Sequence, residues 1–252
     1  MNNFNEQVVV ITGAGSGIGR VTAQKFGAAG AIVVVSDMNE VSGQATVEMI
    51  ESAGGTATFV KANVAELAEV EALMTTVVER FGRIDIAVNN AGIGGKNMLK
   101  SAEHTFEDWD NIIAVNQTGV FYCMKLELQQ MMRQKSGVII NIASIAGLRG
   151  LPNSLAYVAS KHAVVGMTKT AAMEYAKYGI RVNAVCPVFT VTNLFNPDYF
   201  PNPELPEKLK RAIPMKRFAE ASEMADAIMY LSSDASSFIT GHAMPVDGGL
   251  TA

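Results

Sequence analysis

Three side chains that can take part in proton transfer fall within one short stretch of the chain, Gly137 to Lys161. Ser144 follows a run of β-branched residues that predicts a buried strand, and Tyr157 and Lys161 come shortly after the turn expected at Pro152. In a helix, their four-residue spacing puts Tyr157 and Lys161 on one face, with Cβ atoms about 5–6 Å apart. We therefore expect a hydroxyl, a phenol and an ammonium to meet where the strand ends.

The same residues also have ordinary structural interpretations. A serine after a strand often begins a turn or caps a helix, and a tyrosine four residues before a lysine can form a plain pair on a helix surface. Of the six tyrosines, only Tyr157 has a lysine at that spacing. Tyrosine abundance therefore does not explain the pair, and the rest of the chain must decide between catalysis and structure.

The composition favours one large α/β domain. The 252 residues are 49% hydrophobic and 17% charged, which indicates a large apolar core. The net charge of −4 argues against nucleic acid or an anionic membrane as the partner. Two cysteines are too few for a disulfide scaffold, and neither a signal-peptide pattern nor an apolar run of ~18 residues is present. These observations predict a cytoplasmic protein that does not bind membranes.

The first predicted strand, Val8 to Thr12, leads through a glycine-rich turn into a helical pattern. Glycines allow backbone and anion to approach closely, and the N–H groups that begin a helix face a negative charge. Glycines alone would punctuate any loop, but their place between strand and helix predicts a pyrophosphate cradle. The expected cofactor contacts in this turn are Gly13, Ser16, Gly17, Ile18 and Gly19.

The second predicted strand, Ala31 to Ser36, ends at Asp37, which is followed by Met38. A carboxylate about 20 residues after the glycines is placed to bind the hydroxyls of an adenosine ribose, and it repels a 2′-phosphate. We find no arginine or lysine placed to receive that phosphate. NAD(H) is therefore the predicted cofactor, with contacts at Asp37 and Met38. The alternative is that Asp37 caps a helix beginning near Asn39.

Strands and helices continue to alternate almost to the C-terminus. This pattern predicts a single Rossmann-type α/β domain over residues 1–252, with a doubly wound parallel sheet of about seven strands and helices on both faces. The loops after the third and fourth strands should meet the cofactor at the carboxyl edge of that sheet, although short polar turns are the alternative. The contacts expected there are Asn63, Val64, Asn90, Ala91 and Gly92.

Two later segments carry further expectations. A helical pattern from Asp108 to Met132 contains Asn116, which is either exposed or buried with a polar partner such as a water near Lys161. From about 188 to 217 the alternation stops, and a loop of that length is usually functional or mobile. We predict a substrate lid there, although its aromatic residues would also suit a subunit contact. Its prolines and aromatic residues are Phe189, Phe195, Pro197, Tyr199, Phe200, Pro201, Pro203, Pro206 and Pro214.

Six motifs in matching order make the chain resemble the short-chain dehydrogenase/reductase family from about Val8 to the C-terminus. They are TGAGSGIG at 12–19, NNAG at 89–92, VNQTG around Asn116, NIAS ending at Ser144, YVASK at 157–161 and ITGHAMPVDGG near the end. The resemblance implies a homotetramer and a catalytic tetrad at Asn116, Ser144, Tyr157 and Lys161. It implies that Tyr157 and Lys161 also contact the cofactor, and that further contacts follow the sixth strand at Pro187, Val188, Thr190 and Thr192.

The sequence departs from the family pattern at two positions. Asn63 stands where the family usually has aspartate, and it can still hydrogen-bond an adenine. Val188 stands where a glycine usually follows the proline, so its branched side chain should narrow the substrate pocket. The apolar residues Leu148, Leu151, Val188 and Phe189 favour a small, fairly apolar substrate.

Taken together, the residues predict an oxidoreductase that moves a hydride between NAD(H) and a small secondary alcohol or ketone. Tyr157 would be the general acid/base, Lys161 and the oxidised nicotinamide would favour its phenolate, and Lys161 would also bind the nicotinamide ribose. Ser144 would stabilise charge on the substrate oxygen. Asn116 would link Lys161 to solvent through a water.

Other functions remain open at this point. A 3-oxoacyl-carrier-protein reductase would prefer NADPH and carry a basic docking patch, and a sugar or polyol dehydrogenase would line its pocket with several polar groups. A nucleotide-binding regulator without turnover would be free to lose Tyr157 or Lys161. No metal site is predicted, because His104, His162 and His242 are isolated in sequence.

Overall fold

A computed structural model describes residues 4–95, 99–197 and 204–252. Within these ranges, seven parallel strands form one sheet in the order β3-β2-β1-β4-β5-β6-β7, which confirms the predicted doubly wound α/β fold. The strands are β1 (Val8–Thr12), β2 (Ile32–Asp37), β3 (Thr56–Lys61), β4 (Ile86–Asn89), β5 (Gly137–Ile142), β6 (Ile180–Pro187) and β7 (Ala243–Val246). The helices are α1 (Gly17–Ala28), α2 (Glu40–Ser52), α3 (Leu67–Phe81), α4 (Phe106–Ile113), α5 (Val120–Gln134), α6 (Leu155–Tyr175), α7 (Glu204–Ala212) and α8 (Ala221–Ser232).

The sheet separates two apolar cores, because successive side chains of a strand point to opposite faces. In β1, Val8 and Val10 pack in the core that contains residues of α3, α5 and α6. Val9 and Ile11 pack in the other core, with residues of α1, α2 and α8. All residues of β1 are buried, as is typical of a parallel strand covered on both faces.

The strand order reverses beside β1, which pairs with β2 on one side and β4 on the other. In register, Thr12 of β1 lies next to Ser36 of β2 and Asn89 of β4. Asn89 in turn lies next to Asn141 of β5. The segments that follow these four positions therefore leave the sheet at one edge, where open α/β sheets form their ligand crevice.

Two regions differ from the elements that the sequence predicts. The helix expected from Asp108 to Met132 is divided into α4, a π-helix over Ala114–Gly119, and α5. A π-helix widens one turn and is frequent at functional sites. The segment expected to be irregular from 188 to 217 contains α7, with Pro206 in its first turn, where a missing N–H costs no helical bond.

Two further points complete the fold. The predicted lid residues Tyr199, Phe200, Pro201 and Pro203 lie outside the described residues. No helix in the described part of the chain is long and apolar enough to cross a membrane.

Candidate active site

A cavity of about 490 Å³ opens at the carboxyl edge of the sheet. All the predicted site residues line it except Gly19 and Asn116. Those that do are Gly13, Ser16, Gly17, Ile18, Asp37, Met38, Asn63, Val64, Asn90, Ala91, Gly92, Ser144, Tyr157, Lys161, Pro187, Val188, Thr190 and Thr192. The cavity wall therefore includes both the glycine turn after β1 and Ser144, the hydroxyl residue that follows β5.

Ser144, Tyr157 and Lys161 meet in the wall of this cavity. The Ser144 side chain lies close enough to the Tyr157 phenol to lower its pKa, and the Lys161 Nζ atom lies 5.7 Å from the centre of the Tyr157 ring. Lys161 Nζ donates a hydrogen bond of 2.8 Å to the carbonyl oxygen of Ile142. Ser144 Oγ also accepts from Ala146 N at 3.1 Å, so the ordinary role of a cap is present beside the chemical one.

Burial shifts the pKa values of the phenol and the ammonium in opposite directions, and each shift favours the neutral form of the group. Desolvation raises the pKa of Tyr157, while the hydrogen bond with Ser144 opposes this shift. Desolvation lowers the pKa of Lys161 to about 8. The prediction that Lys161 and the oxidised nicotinamide favour the phenolate concerns the cofactor-bound site; in the chain alone, burial raises the pKa of the phenol. The phenol retains its proton at neutral pH and is set to act as an acid.

The glycine turn forms a concave surface that side chains would fill. Gly13 and Gly17 have φ angles of +63° and +53°, and a Cβ at Gly13 would lie 2.7 Å from Ala91 Cα. The helix α1 begins at Gly17, and its N-cap residue Ser16 makes no side-chain bond to the first turn. Because Ser16, Gly17 and Ile18 line the cavity, the start of α1 offers N–H groups to an anion there.

Asn90 and Gly19 fix the shape of this turn. Asn90 Nδ2 donates to the carbonyl oxygens of Thr12 (3.0 Å) and Gly13 (2.9 Å). A Cβ at Gly19 would collide with the Gly13 carbonyl oxygen and with Asn90 Nδ2 at 2.5 Å. Gly19 is buried and does not line the cavity. Its predicted cofactor contact is therefore corrected to a packing role that keeps α1 close to the strand ends.

Asp37 lines the cavity at the end of β2 and holds the neighbouring backbone. Its Oδ2 atom accepts from Gly15 N and its Oδ1 atom accepts from Asn39 N, both at 2.9 Å. The N-cap of α2 is Asn39, whose Oδ1 atom accepts from Ser42 N at 3.0 Å. The alternative interpretation of Asp37 as the cap of this helix is thus excluded. Among the described residues that line the cavity, Lys161 is the only lysine or arginine.

Asn116 lies behind the cavity wall and is completely buried. Its Oδ1 atom accepts from Ile93 N at 2.8 Å, and its Nδ2 atom donates to Ile93 O at 2.9 Å. Both ends of the amide are thus occupied by the loop that follows β4. Asn116 therefore positions the Gly92–Ile93 backbone, and Gly92 lines the cavity beside Lys161; that the Asn116 side chain also holds a water near Lys161 stays a prediction.

The segment predicted as a lid contributes apolar walls. Phe189 and Phe195 line the cavity, and their ring centres lie 5.3 Å apart. Phe218 packs on Phe195 with ring centres at 5.1 Å. These rings contact one another within the chain, and two of them form part of the cavity wall. Leu148, which was expected in the pocket, instead packs against the core shared by α3, α5 and α6.

Several polar side chains in the cavity wall escaped the sequence analysis. They are His104, Asn153, Ser154 and Asn193. These residues lie in segments without helical or strand periodicity, so no pattern placed them at the site. Among the described residues, no group of three histidine, cysteine or acidic side chains could hold a metal ion.

Sequence comparison places this geometry among known proteins. Residues 13–251 match a family model described as enoyl-(acyl carrier protein) reductase. The chain is 44% identical to an uncharacterized oxidoreductase of Thermotoga maritima, with 99% of each chain covered. It is 42% identical to a cyclohexanol dehydrogenase of Acinetobacter sp., covering 99% of this chain and 97% of the relative. It is 40% identical, over the full length of both chains, to a 2,5-dichloro-2,5-cyclohexadiene-1,4-diol dehydrogenase of Sphingobium indicum.

Solved structures agree with these relatives. A levodione reductase superposes with a TM-score of 0.94 and 38% identity, with 98% of each chain covered. A 3-ketoacyl-(acyl-carrier-protein) reductase from Brucella melitensis, solved in complex with NADH, superposes with a TM-score of 0.91 and 35% identity. That match covers 99% of this chain and 100% of the other.

Proposed function

Because the chain belongs to the short-chain dehydrogenase/reductase family, we propose that it transfers a hydride between NAD(H) and a small secondary alcohol or ketone. The observation that carries this proposal is the meeting of Ser144, Tyr157 and Lys161 in the wall of the cavity that also contains the glycine turn. A hydroxyl and a proton-bearing phenol side by side can both bind one substrate oxygen.

The residues present fit a nicotinamide dinucleotide. The concave glycine turn and the uncapped start of α1 suit a pyrophosphate, and the Asp37 carboxylate suits a ribose diol. Arg20, the arginine nearest in sequence to the turn, donates to Gly15 O, Ser42 O and Thr46 Oγ1 and does not line the cavity. These contacts favour NAD(H) over its 2′-phosphorylated form. When bound, the nicotinamide supplies or accepts the hydride.

The side chains of the site transfer the proton that accompanies the hydride. In ketone reduction, Tyr157 Oη donates its proton to the substrate oxygen, and in alcohol oxidation the phenolate takes it back. Ser144 Oγ binds the same oxygen and stabilises the charge that develops on it. Lys161 keeps a positive charge beside the phenol below its pKa of about 8, which favours the phenolate in the oxidation direction.

We propose that the substrate is small and largely apolar, and that a ring carries the reacting oxygen. Leu151, Val188, Phe189 and Phe195 supply apolar walls around the catalytic group. Val188 lines the cavity and is 7% exposed, which supports our proposal that its branched side chain narrows the substrate pocket. Two relatives named above act, by their names, on six-membered carbocyclic alcohols.

A second candidate is reduction of a 3-oxoacyl group on a carrier protein, because the family model and one NADH-bound neighbour are named for carrier-protein substrates. The net charge of −4 disfavours docking of an acidic carrier. Initial rates with NADH, measured on cyclohexanone and on a 3-oxoacyl carrier protein, decide between the two. We expect cyclohexanone to give the higher kcat/KM, and the reverse order would favour the second candidate.

Changing Asp37→Asn tests the cofactor assignment. The amide has the same shape but no charge, so it no longer repels a 2′-phosphate. We expect the ratio of kcat/KM for NADPH over NADH to rise at least roughly tenfold, the effect of about 1.4 kcal/mol. A wild-type enzyme that already prefers NADPH would contradict the assignment.

We also propose a homotetramer, as the family resemblance implies. Large apolar side chains are exposed on three helices: Phe106 (91%) on α4, Phe121 (50%) on α5 and Met173 (86%) on α6. Burial of these faces against further copies would remove them from water. Sedimentation velocity over a range of concentrations tests this, and a purely monomeric species would overturn it. A cytoplasmic location remains a proposal that follows from the composition.

A further inference from the structure

Asn63 lies in the cavity wall two residues after β3, an edge strand of the sheet. In the register of the sheet, Asp37 lies beside Lys61 of β3, and Ala62 N donates to the carbonyl oxygen of Asp37 at 3.2 Å. The ends of β1, β2 and β3 therefore present the glycine turn, the Asp37 carboxylate and Asn63 in that order. A dinucleotide with its pyrophosphate at the glycine turn and its ribose at Asp37 extends its base toward Asn63.

The backbone of its own loop orients the Asn63 amide. Ala65 N donates to Asn63 Oδ1 at 3.2 Å, and because a backbone N–H group can only donate, the atom that it meets must be the amide oxygen. The Nδ2 atom is then the free end, and it donates to no atom in the described part of the chain. Asn63 is only partly buried and lines the cavity, so a ligand beside it meets an N–H donor.

An N–H donor at this place discriminates between purine bases. The substituent at position 6 projects from the end of a purine that is farthest from the ribose. It is an amino donor in adenine and a carbonyl acceptor in hypoxanthine, as it is in guanine. The Asn63 amide is complementary to the carbonyl, whereas it sets a donor against the amino group. Turning the amide over would not relieve this conflict freely, because it would set Nδ2 against the N–H group of Ala65.

We propose that Asn63 is a specificity-determining residue that favours a 6-oxopurine over a 6-aminopurine in the dinucleotide. The inference rests on the proposed function and concerns the base of the cofactor. The chain therefore accepts nicotinamide hypoxanthine dinucleotide at least as readily as NAD(H). An aspartate at this position would instead supply two oxygen atoms, one for Ala65 N and one that accepts from the amino group of adenine.

Equilibrium binding tests this without turnover. The probes are NADH and reduced nicotinamide hypoxanthine dinucleotide, and isothermal titration calorimetry gives their dissociation constants for the wild type and for Asn63→Asp. We expect the wild type to bind the hypoxanthine form at least as tightly as NADH. Asn63→Asp should shift the ratio of the two affinities at least about tenfold toward NADH. A wild type that binds NADH more tightly, or a ratio that Asn63→Asp leaves unchanged, overturns the inference.

Asn153→Asp is the matched control. Asn153 also lines the cavity, but it lies in the segment before α6 and not at the end of β3. The substitution adds the same charge, and the ratio cancels its general effect because both dinucleotides carry the same phosphates. The ratio should stay at its wild-type value, and an equal shift in both variants would overturn a specific role for Asn63.

Initial rates separate this inference from the proposed function. With cyclohexanone as substrate, we expect reduced nicotinamide hypoxanthine dinucleotide to give a kcat/KM at least equal to that of NADH. If neither dinucleotide supports reduction, the proposed reaction fails, and the two binding ratios still decide whether Asn63 selects the base. If neither dinucleotide binds, both the cofactor assignment and this inference are overturned.

Discussion

Lys161 and Glu127 are both deeply buried ionisable side chains, but only one of them reaches the cavity. Lys161 is 4% exposed and Glu127 is 1% exposed. Desolvation lowers the pKa of Lys161 to about 8 and raises the pKa of Glu127 to about 8. Burial therefore moves a base and an acid to the same value from opposite sides, because it penalises whichever form is charged.

The surroundings of Glu127 are closed and hydrogen-bonded. Its Oε2 atom accepts from Asn89 Nδ2 at 3.0 Å, and Asn89 Nδ2 also donates to Asn141 Oδ1 at 3.0 Å. Asn141 Nδ2 donates to Thr168 Oγ1 at 2.9 Å. The network ties α5 and α6 to strands β4 and β5, and none of its members lines the cavity.

The closed network around Glu127 and the cavity wall are only one residue apart along strands β4 and β5. Asn89 and Asn141 belong to the closed network, and the next residues, Asn90 and Ile142, line the cavity. Lys161 bonds to the carbonyl oxygen of that same Ile142. A perturbed pKa marks a functional candidate only where the group also faces a cavity, and here the open strand end makes that distinction. Substitutions at Tyr157 and Lys161 should therefore change turnover, and those at Glu127 should change stability.

Tyr157→Phe should have the largest effect on turnover. It removes the proton that is transferred to the substrate oxygen and keeps the ring that packs beside Lys161. We expect kcat to fall roughly 10³-fold, in the range typical of a general acid/base. NADH affinity, measured by fluorescence titration, should change little. Wild-type turnover in this variant would show that the open region is not catalytic.

Lys161→Met should reduce turnover by about 10²-fold, because a positive charge beside the phenol is lost. Its stability should change little, since two terms oppose each other. A shift from 10.5 to about 8 means that burying the ammonium costs about 3 kcal/mol, which methionine avoids. The carbonyl oxygen of Ile142 loses its partner, a cost of about 1–3 kcal/mol. Urea unfolding at pH 7 should show a net change within about 2 kcal/mol, and a much larger loss would make Lys161 a mainly structural group.

The fold and most of the cavity wall follow from local sequence signals. Alternating strands and helices dictate a parallel sheet, and the residues after strand ends must gather at one edge. These signals predict that the site contains Asp37, Asn90, Ser144 and Tyr157. Each needs only its position relative to a strand end or its helical spacing.

The remaining features depend on packing between distant segments. Asn116 lies in a π-helix that no residue pattern predicts. The hydrogen-bond partner of its side chain, Ile93, is 23 residues away in the sequence. Gly19 is indistinguishable from Gly17 in the motif, and only the approach of Asn90 shows that it serves packing. The raised pKa of Tyr157 in the chain alone depends on burial, which sequence spacing does not report.

Glu127→Gln should have the smallest effect on turnover, because Glu127 does not line the cavity. In the folded protein Glu127 retains its proton from its ordinary value near 4.5 up to about 8, whereas the unfolded chain releases it. Between those values the folded state binds more protons, so this group makes stability fall as pH rises, by about 1.4 kcal/mol for each pH unit. Glutamine mimics the protonated acid and keeps a carbonyl for Asn89 Nδ2. Turnover should therefore stay within about twofold of wild type.

The measurement is the free energy of urea unfolding of both proteins at pH 5, 6, 7, 8 and 9. Other titrating groups contribute equally to both, so the difference between the two curves isolates Glu127. We expect Glu127→Gln to gain on wild type with each step in pH, and the gain to level off above about pH 8. Parallel curves would mean that Glu127 is ionised in the folded protein, and a turnover loss comparable to that of Lys161→Met would mean that the closed network and the cavity are not separate regions. The closed network and the cavity wall are one residue apart along β4 and β5. Coupling between the two regions would therefore have to pass through Asn89 or Asn141. The substitutions Asn89→Asp and Asn141→Asp would show which of these two residues carries the coupling.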